Sequence, residues 1–564
     1  MYILGINGWH TRSHDPSACL VKNGKILAMA EEERFIRQKY AFEKIPINAT
    51  SYCLHEAKIS PSDIDIVAFG WDYKQKYNLR GIKWDYTKNE LLDILYPKAI
   101  FKYDKKPKLI IVPHHLAHAA SVYFTSGYKK AAILIIDGQG EKYSTSIAYG
   151  NGRKIKTLKS FPIKDSLGYF YESINKYIGF HYLDSGKTMG LAPYGKPIFT
   201  FKNIKLKKDG YSINLPGRLR YSKKHLDEQE SLVSLWHKFI KQKYIKKPNP
   251  TVNKFNKLRN KIKVEFKISE SYKNLAASAQ KALEETVGHL AKVSIKMTNC
   301  NNLCISGGVG LNCVVNGKLL HNKSIKNLYI FPAANDAGVS VGAALYASAI
   351  LDKNLNFSRL NHAYFGPEYT DQEVKSAFKE RKINYKFYPN ICKKTAELLS
   401  RGKIVGWVHG RMEMGPRALG NRSILANPKT KSMWKKINLI KNRELWRPLS
   451  PSILNEYKDN YFESAQYSPF MLKTFGVKKK NGGLISAVVH VDDSTRPQTV
   501  SKKINPKFWH LINEFYKITG IPSLFNTSFN LINEPIVCSP QDALSTFYNS
   551  GLDCLVINNF LVTK

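Results

Sequence analysis

The stretch Pro113-His114-His115-Leu116-Ala117-His118 places two imidazoles four residues apart, so on a helix His114 and His118 share one face and can grip a single cation. The run from His115 to Tyr128 has the small and apolar residues of a helix, with no Pro or Gly before Gly127. Six apolar residues, Ala131–Ile136, follow and end at Asp137, just before Gly138-Gln139-Gly140. Such a run marks a buried parallel strand, and open α/β sheets bind ligands beyond the C-terminal ends of their strands. Two imidazoles and a carboxylate suit Fe(II), Zn or a similar borderline cation. Asp336 lies in a loop after a second strand, Leu328–Phe331. As a fourth ligand it gives a His2Asp2 set with room for a substrate oxygen; the other reading of Asp336 is a helix cap, and of the two histidines, an incidental pair.

These residues need a frame. At 564 residues the chain is too long for one core, so at least two domains are expected. No apolar run is long enough to span a bilayer, and Met1-Tyr-Ile-Leu-Gly-Ile begins as a strand rather than as a signal peptide. The eight cysteines form no CxxC and read as reduced, buried thiols of a cytoplasmic protein. The formal net charge of +43 would attract nucleic acid, membranes or polyanions. Its lysines are spread along most of the chain and RNA-binding signatures are absent, which favours solvated faces and small anionic substrates over nucleic acid.

Taken in order, the chain predicts strands Tyr2–Asn7, Ser17–Lys22 and Lys25–Ala30, with the hairpin signal Asn23-Gly24 between the last two. The plan then repeats as Ala131–Ile136, Ser144–Tyr149, Asn151-Gly152 and Lys154–Phe161. Two copies of strand, polar loop, strand, Asn-Gly, strand imply a duplicated α/β domain whose first loops can receive phosphates through backbone N–H groups. Pro46–Lys58, the region around Leu91 and Ala276–Met297 read as helices. Gly186-Lys187-Thr188 lacks the earlier glycine of a P-loop, since His181 holds that position. Ser306-Gly307-Gly308 is a strand–glycine–helix turn that presents N–H groups to a phosphate. Residues 200–268 are basic and weakly patterned, and 351–388 read as a connector. Beyond it, the stretches from Gly410 to Ser423, Lys441 to Pro451, Asp492 to Gln498 with Arg496, and Leu524 to Asn530 crowd cations beside glycines, prolines and polar strand ends. That makes a poor core and a good anion pocket, because guanidinium pairs bidentately with phosphate.

At this point the chain resembles the O-carbamoyltransferases that tailor antibiotics, nodulation factors and related metabolites. The matching stretches are Gly5-Ile6-Asn7 through His14-Asp15, Glu32-Glu33-Arg34-Phe35, His114–His118, Met189-Gly190-Leu191-Ala192-Pro193-Tyr194-Gly195, Ser306-Gly307-Gly308, Gly410-Arg411-Met412-Glu413, Arg443-Glu444 with Arg447-Pro448, and Phe525-Asn526-Thr527-Ser528-Phe529-Asn530. The resemblance implies an α/β protein with a duplicated actin/sugar-kinase/Hsp-like transfer domain over 1–350, a linker over 351–388, and a YrdC-like domain over 389–564. The second domain would make carbamoyl-adenylate from carbamoyl phosphate and ATP, and the first would move the carbamoyl group to a hydroxyl of a small-molecule or glycan acceptor. It further implies His14 as the base, an iron(II) or other divalent ion on His114, His118, Asp137 and Asp336, and nucleotide contacts from Lys39, Gly138, Gly307 and Gly308. Arg417, Lys441, Arg447, Arg496, Asn526 and Ser528 would hold carbamoyl phosphate and ATP, with Mg2+ as ATP's counter-ion, and Arg12 would border the acceptor. A homodimer is compatible with the sequence, which does not fix the oligomeric state. The alternative is a tRNA-modifying threonylcarbamoyl enzyme, which the charge would favour; a third reading is an inactive nucleotide-binding scaffold.

Overall fold

The computed structural model describes residues 1–10, 13–220, 228–249 and 268–564. It forms two compact units, Met1–Ala28 with Phe42–Leu360 and Met29–Ala41 with Asn361–Lys564. This division departs from a linker over 351–388 in two ways. Asp371–Glu380 is a helix, started by a capping box between Thr370 and Glu373, and Lys386–Phe387 pairs with Leu561 and Phe560 of the second unit's sheet. Residues 29–41, from near the start of the chain, also belong to the second unit.

The first unit is built on two five-stranded sheets. Strands β1 (Tyr2–Asn7), β2 (Ser17–Lys22), β3 (Lys25–Glu31), β4 (Ile64–Phe69) and β5 (Lys108–Ile111) lie in the order β3-β2-β1-β4-β5. Strands β6 (Lys130–Ile136), β7 (Tyr143–Asn151) and β8 (Lys154–Pro162), a separate hairpin of β9 (Ile204–Lys207) and β10 (Gly210–Ile213), and then β11 (Asn302–Ser306) and β12 (Asn327–Ile330) complete the unit. The second sheet runs β12-β11-β6-β7-β8. In both sheets the first strand is antiparallel to the second and parallel to its neighbour on the other side, and that neighbour is parallel to the edge strand. The duplication expected from the repeated strand pattern is therefore present in the topology. The strand read as Ala131–Ile136 is wholly buried, as its unbroken apolar run requires. Strands β4 and β5, which the sequence pattern does not predict, supply the parallel half of the first sheet. Residues 200–268, read as unpatterned, carry the β9–β10 hairpin and the helix Gln229–Lys243.

Helix His114–Phe124 precedes β6, and helix Val339–Leu351 packs against both it and β1. Two glycines permit this approach. A Cβ at Gly342 would stand 1.8 Å from the carbonyl oxygen of Ala117, and one at Gly5 would stand 1.9 Å from that of Ser340. The obstacle in each case is backbone, which cannot rotate away. Overpacking costs typically 1–3 kcal/mol, and Gly342→Ala is expected at the upper end, about 3 kcal/mol, with weaker metal binding because Ala117 adjoins His118. A denaturation midpoint equal to that of the parent protein would contradict this.

The second unit holds strands β13 (Lys386–Phe387), β14 (Val405–Val408), β15 (Arg422–Ala426), β16 (Ser450–Leu454), β17 (Phe475–Gly476), β18 (Ser494–Thr495), β19 (Gln498–Val500), β20 (Ser523–Ser528), β21 (Cys554–Ile557) and β22 (Phe560–Thr563). Eight of them form one mixed sheet in the order β13-β22-β21-β14-β15-β20-β16-β19. Only β14–β21 and β16–β19 are parallel among its paired strands. Helices Ile391–Ser400 and Pro506–Thr519 pack on each other beside it. The eight cysteines are all free thiols, seven of them buried. No helix among the described residues is long and apolar enough to cross a membrane.

Candidate functional site

His114 and His118 begin helix His114–Phe124 and are completely buried. Their spacing turns both Nε2 atoms to one point, where they lie 3.2 Å apart. Each stands 3.2 Å from Asp137 Oδ2 and 3.6 Å from Asp336 Oδ1. Asp137 is there because β6 ends at Ile136, and Asp336 because it opens the short turn after β12. One donor atom from each of the four residues lies within 4.8 Å of every other. Four lone-pair donors converging without solvent repel one another unless a proton or cation sits among them, so the set fits a divalent ion. Ser306 Oγ lies 3.3 Å from His118 Nδ1, which leaves Nε2 for the cluster.

The charges agree with this. Burial lowers the pKa of His118, but hydrogen bonds to Asp137 and Asp336 outweigh it and lift the imidazole to about 9. Burial raises Asp137, yet bonds from His114 and His118 hold it well below the ordinary carboxylate value; Asp336 is lowered too, by His114 and then His14 acting against burial. His115, the remaining histidine of the motif, bonds Ser146 and is pushed down to about 3 by burial and by His114, so it stays neutral outside the cluster.

A supporting ring surrounds the ligands. Trp71 stacks on the His114 ring at 3.8 Å and donates to Asn7 Oδ1. Glu141, from the glycine loop after β6, accepts the backbone N–H of His114 at 2.8 Å and of Asp72 at 2.9 Å through one oxygen, Oε1. It thereby fixes the start of the ligand helix and opposes its positive end. Glu141→Gln keeps the shape and removes the charge, and Zn2+ or Co2+ affinity is expected to fall about 10- to 100-fold in a chelator competition. Unchanged affinity would mean that Glu141 does not hold His114. Sequence alone offered no signal for Trp71 or Glu141.

The N–H groups of Gly138 and Gly308 both donate to Asp137 Oδ1, at 2.8 and 3.1 Å, so they orient one of the four converging side chains. Gly307 has φ 88°, and a Cβ there would meet the Ile136 carbonyl oxygen at 2.4 Å. His14 is half-buried, with Nδ1 3.1 Å from Asp15 Oδ2, and Asn335 donates to the same oxygen at 2.8 Å. Burial lowers its pKa, but Asp336, then Asp15, then Asp137 raise it to about 10. The structure thus brings His14 to the rim of the four-ligand cluster. Arg12 lies outside the described residues.

In the second unit, Lys441, Arg447 and Arg496 come together and are joined by Arg443 and Lys39. Lys441 is buried, and its Nζ donates to Asn530 O at 2.8 Å, Asn530 Oδ1 at 2.9 Å and Ser528 O. Burial first, then Arg443, Arg447 and Lys39, push its pKa well below the ordinary lysine value. Arg443 is likewise depressed, by burial and by Arg447, with Glu444 opposing and Arg496 adding. Arg443 Nε donates to Asn438 at 2.6 Å while its Nη2 is buried without a partner. Arg496 donates through Nε and Nη2 to Ser450 Oγ at 3.1 and 3.0 Å. Asn526 faces Ser450 in the sheet register, and its amide donates to Ser452 Oγ and to the carbonyl of Ala418, the residue after Arg417. The sequence reading quoted Arg443 within a motif without giving it a role. Lys39, grouped by expectation with the glycines, belongs to the second unit.

Residues 2–345 match the family model for the carbamoyltransferase N-terminus, and residues 396–564 that for the carbamoyltransferase C-terminus. The chain belongs to the carbamoyltransferase family. This carbamoyltransferase is 36% identical over 571 residues to nodulation protein NolNO of Sinorhizobium fredii, covering 98% of this chain and 80% of that one. It is 36% identical to nodulation protein NolO of Bradyrhizobium diazoefficiens, over 80% of this chain and 78% of the relative. Nodulation protein U of Rhizobium tropici is 26% identical, over 98% and 95% of the two chains. Among solved structures, full-length HypF in its phosphate- and nucleotide-bound form overlaps 63% of this carbamoyltransferase and 56% of its own chain at 15% identity and a TM-score of 0.35, a likeness too loose to build on.

Proposed function

We propose that this carbamoyltransferase works in two steps. In the second unit, taken as a YrdC-like domain, water cleaves carbamoyl phosphate to carbamate and phosphate, and a carbamate oxygen then attacks the α-phosphorus of ATP, expelling pyrophosphate and forming carbamoyl-adenylate. In the first, taken as an actin/sugar-kinase/Hsp-like domain, the hydroxyl of a small molecule or glycan attacks the carbamoyl carbon, the bond to the adenylate oxygen breaks and AMP leaves. The supporting observation is the convergence of His114, His118, Asp137 and Asp336 with His14 at its edge.

Two anions repel unless fixed positive charge receives them. Arg417, Arg447 and Arg496 supply it, Arg443 joins them, and Lys441 braces Ser528 and Asn530 from beneath. An alcohol is a poor nucleophile until its proton is removed. His14 takes that proton on Nε2, and Asp15 fixes the tautomer by accepting from Nδ1 on Oδ2, the oxygen that also accepts from Asn335. His114, His118, Asp137 and Asp336 would hold a divalent ion, iron(II) by family resemblance, which would supply positive charge for the nucleotide's phosphate and offset the carboxylate field around His14.

The test is incubation of the purified protein with carbamoyl phosphate, ATP and a panel of hydroxyl acceptors. AMP and pyrophosphate should appear only with carbamoyl phosphate present, and one acceptor should gain a carbamoyl mass. Transfer from carbamoyl phosphate without nucleotide consumption would overturn the adenylate step. Salt-sensitive binding of tRNA would instead support the threonylcarbamoyl reading.

A further inference from the structure

Residues 29–41 belong to the second unit although more than three hundred residues separate them from its main part. Glu31 and Arg34 are both buried. Glu31 Oε1 accepts the N–H of Gly415 at 2.6 Å across a sequence separation of 384, and Arg34 Nη2 donates to the carbonyl of the same glycine at 2.9 Å. Gly415 is thus held from both sides of its backbone, in a left-handed conformation at φ 87°. Arg34 also pairs with Glu31 and Glu33 at 3.5 and 3.3 Å. Farther along, Arg37 donates to the carbonyls of Ile536 and Pro535 at 2.7 and 3.0 Å and stands 3.4 Å from Asp542. Lys39 then lies close enough to Lys441 to depress its charge.

The loop that Glu31 and Arg34 grip carries Arg417. Its far side is fixed as well. Glu413 Oε1 accepts the N–H groups of Leu419 and Asn421 at 2.7 Å each and that of Arg422 at 3.2 Å, and Gln498 and Tyr364 both donate to the Leu419 carbonyl. Glu31 and Glu413 each keep Oε2 buried without a partner. Buried carboxylate oxygens left this way are expensive, and here two carboxylates spend their remaining oxygen on one loop. The segment itself is contorted: Arg37, Tyr40 and Ala41 have φ of 56°, 67° and 38°. Side-chain-bearing residues avoid that region, and such departures gather at ligand clamps.

We infer that residues 29–41 are a working part of the C-terminal unit's anion pocket, in which Glu31 and Arg34 clasp Gly415 and so aim Arg417 at the phosphate of carbamoyl phosphate. Both are positioning residues, and the inference rests on the reading of Arg417 as a phosphate contact given above. The segment supplies backbone contacts to the loops at Gly415 and at Pro535-Ile536 that a fragment starting at Asn361 lacks.

The experiment uses the full chain as Glu31→Gln and Arg34→Lys, each alone and each combined with Arg417→Ala, with carbamoyl phosphate-dependent pyrophosphate release as readout. Either single variant is expected to raise KM for carbamoyl phosphate about 10- to 100-fold with a smaller change in kcat. Neither is expected to add to the defect of Arg417→Ala. Equal losses with and without Arg417 would overturn the inference and leave the pocket reading standing. Normal kinetics in Arg417→Ala would remove the pocket reading and the inference with it. A parental KM in Arg34→Lys, which keeps the charge but loses the reach to Gly415, would also overturn it. Glu31→Gln is nearly isosteric, so it carries the test if Arg34→Lys does not fold.

Discussion

Replacing His14 with asparagine is expected to stop carbamoyl transfer to the acceptor while carbamoyl phosphate-dependent pyrophosphate release continues. A general base contributes about 10²–10⁴-fold to such a step, so transfer should fall within that range. Asparagine preserves the size and a donor for Asp15 but cannot take a proton. Equal loss of both steps would show that His14 is not a dedicated base. The same residue gives a pH effect with a definite sign. In metal-free protein its pKa is raised from 6.5 to about 10 by Asp336, Asp15 and Asp137 against the opposing effect of burial. The stabilisation from these ion pairs is therefore complete below about 6.5 and is lost as pH rises towards about 10. His14→Asn should flatten that decline, which thermal melts of chelator-treated protein across this window would reveal.

Arg496→Ala is expected to remove pyrophosphate release. Arg496 is held by two bonds to Ser450 and acts electrostatically on Arg443, so its guanidinium is fixed in a cluster of cations before any substrate arrives. Deleting one preorganised donor facing developing charge costs about 10²–10³-fold in kcat, and loss of the charge itself weakens anion binding further. Arg496→Lys should recover only part, because an ammonium cannot bond two oxygens in a fixed fork. Release at the parental rate in Arg496→Ala would place the anion elsewhere.

Much of the convergence of His114, His118, Asp137 and Asp336 is legible because its information is local. The i, i+4 spacing of His114 and His118 and the strand-end position of Asp137 are short-range facts, and helix and strand geometry convert them directly into convergence. Asp336 is legible as a carboxylate after a strand, and the fold places it beside the other three with Asn335 in the cap position. The repeated strand pattern likewise carried the duplicated topology. The rest depends on chain segments that meet only after folding. Nothing local to Glu31 or Arg34 announces Gly415, and the early segment Met29–Ala41 reads as a continuation of its neighbours. Gly138 and Gly308 show a subtler limit. Their sequence context implies N–H groups offered to a phosphate, and nothing in it announces the carboxylate of Asp137 to which they donate. Strand β4 was missed although Ile64, Ile66 and Val67 are apolar and buried, because Asp65 and the preceding Pro61-Ser62-Asp63 turn break the run.

The matching strand orders of the two sheets have a consequence. Ile6-Asn7-Gly8 closes β1 as Ile136-Asp137-Gly138 closes β6. One half-molecule ends its leading strand in an amide that braces Trp71, the other in a carboxylate that joins the cluster. The repeated scaffold of the first unit thus carries an amide at the end of one leading strand and a carboxylate beyond the end of the other, so equivalent positions do different work.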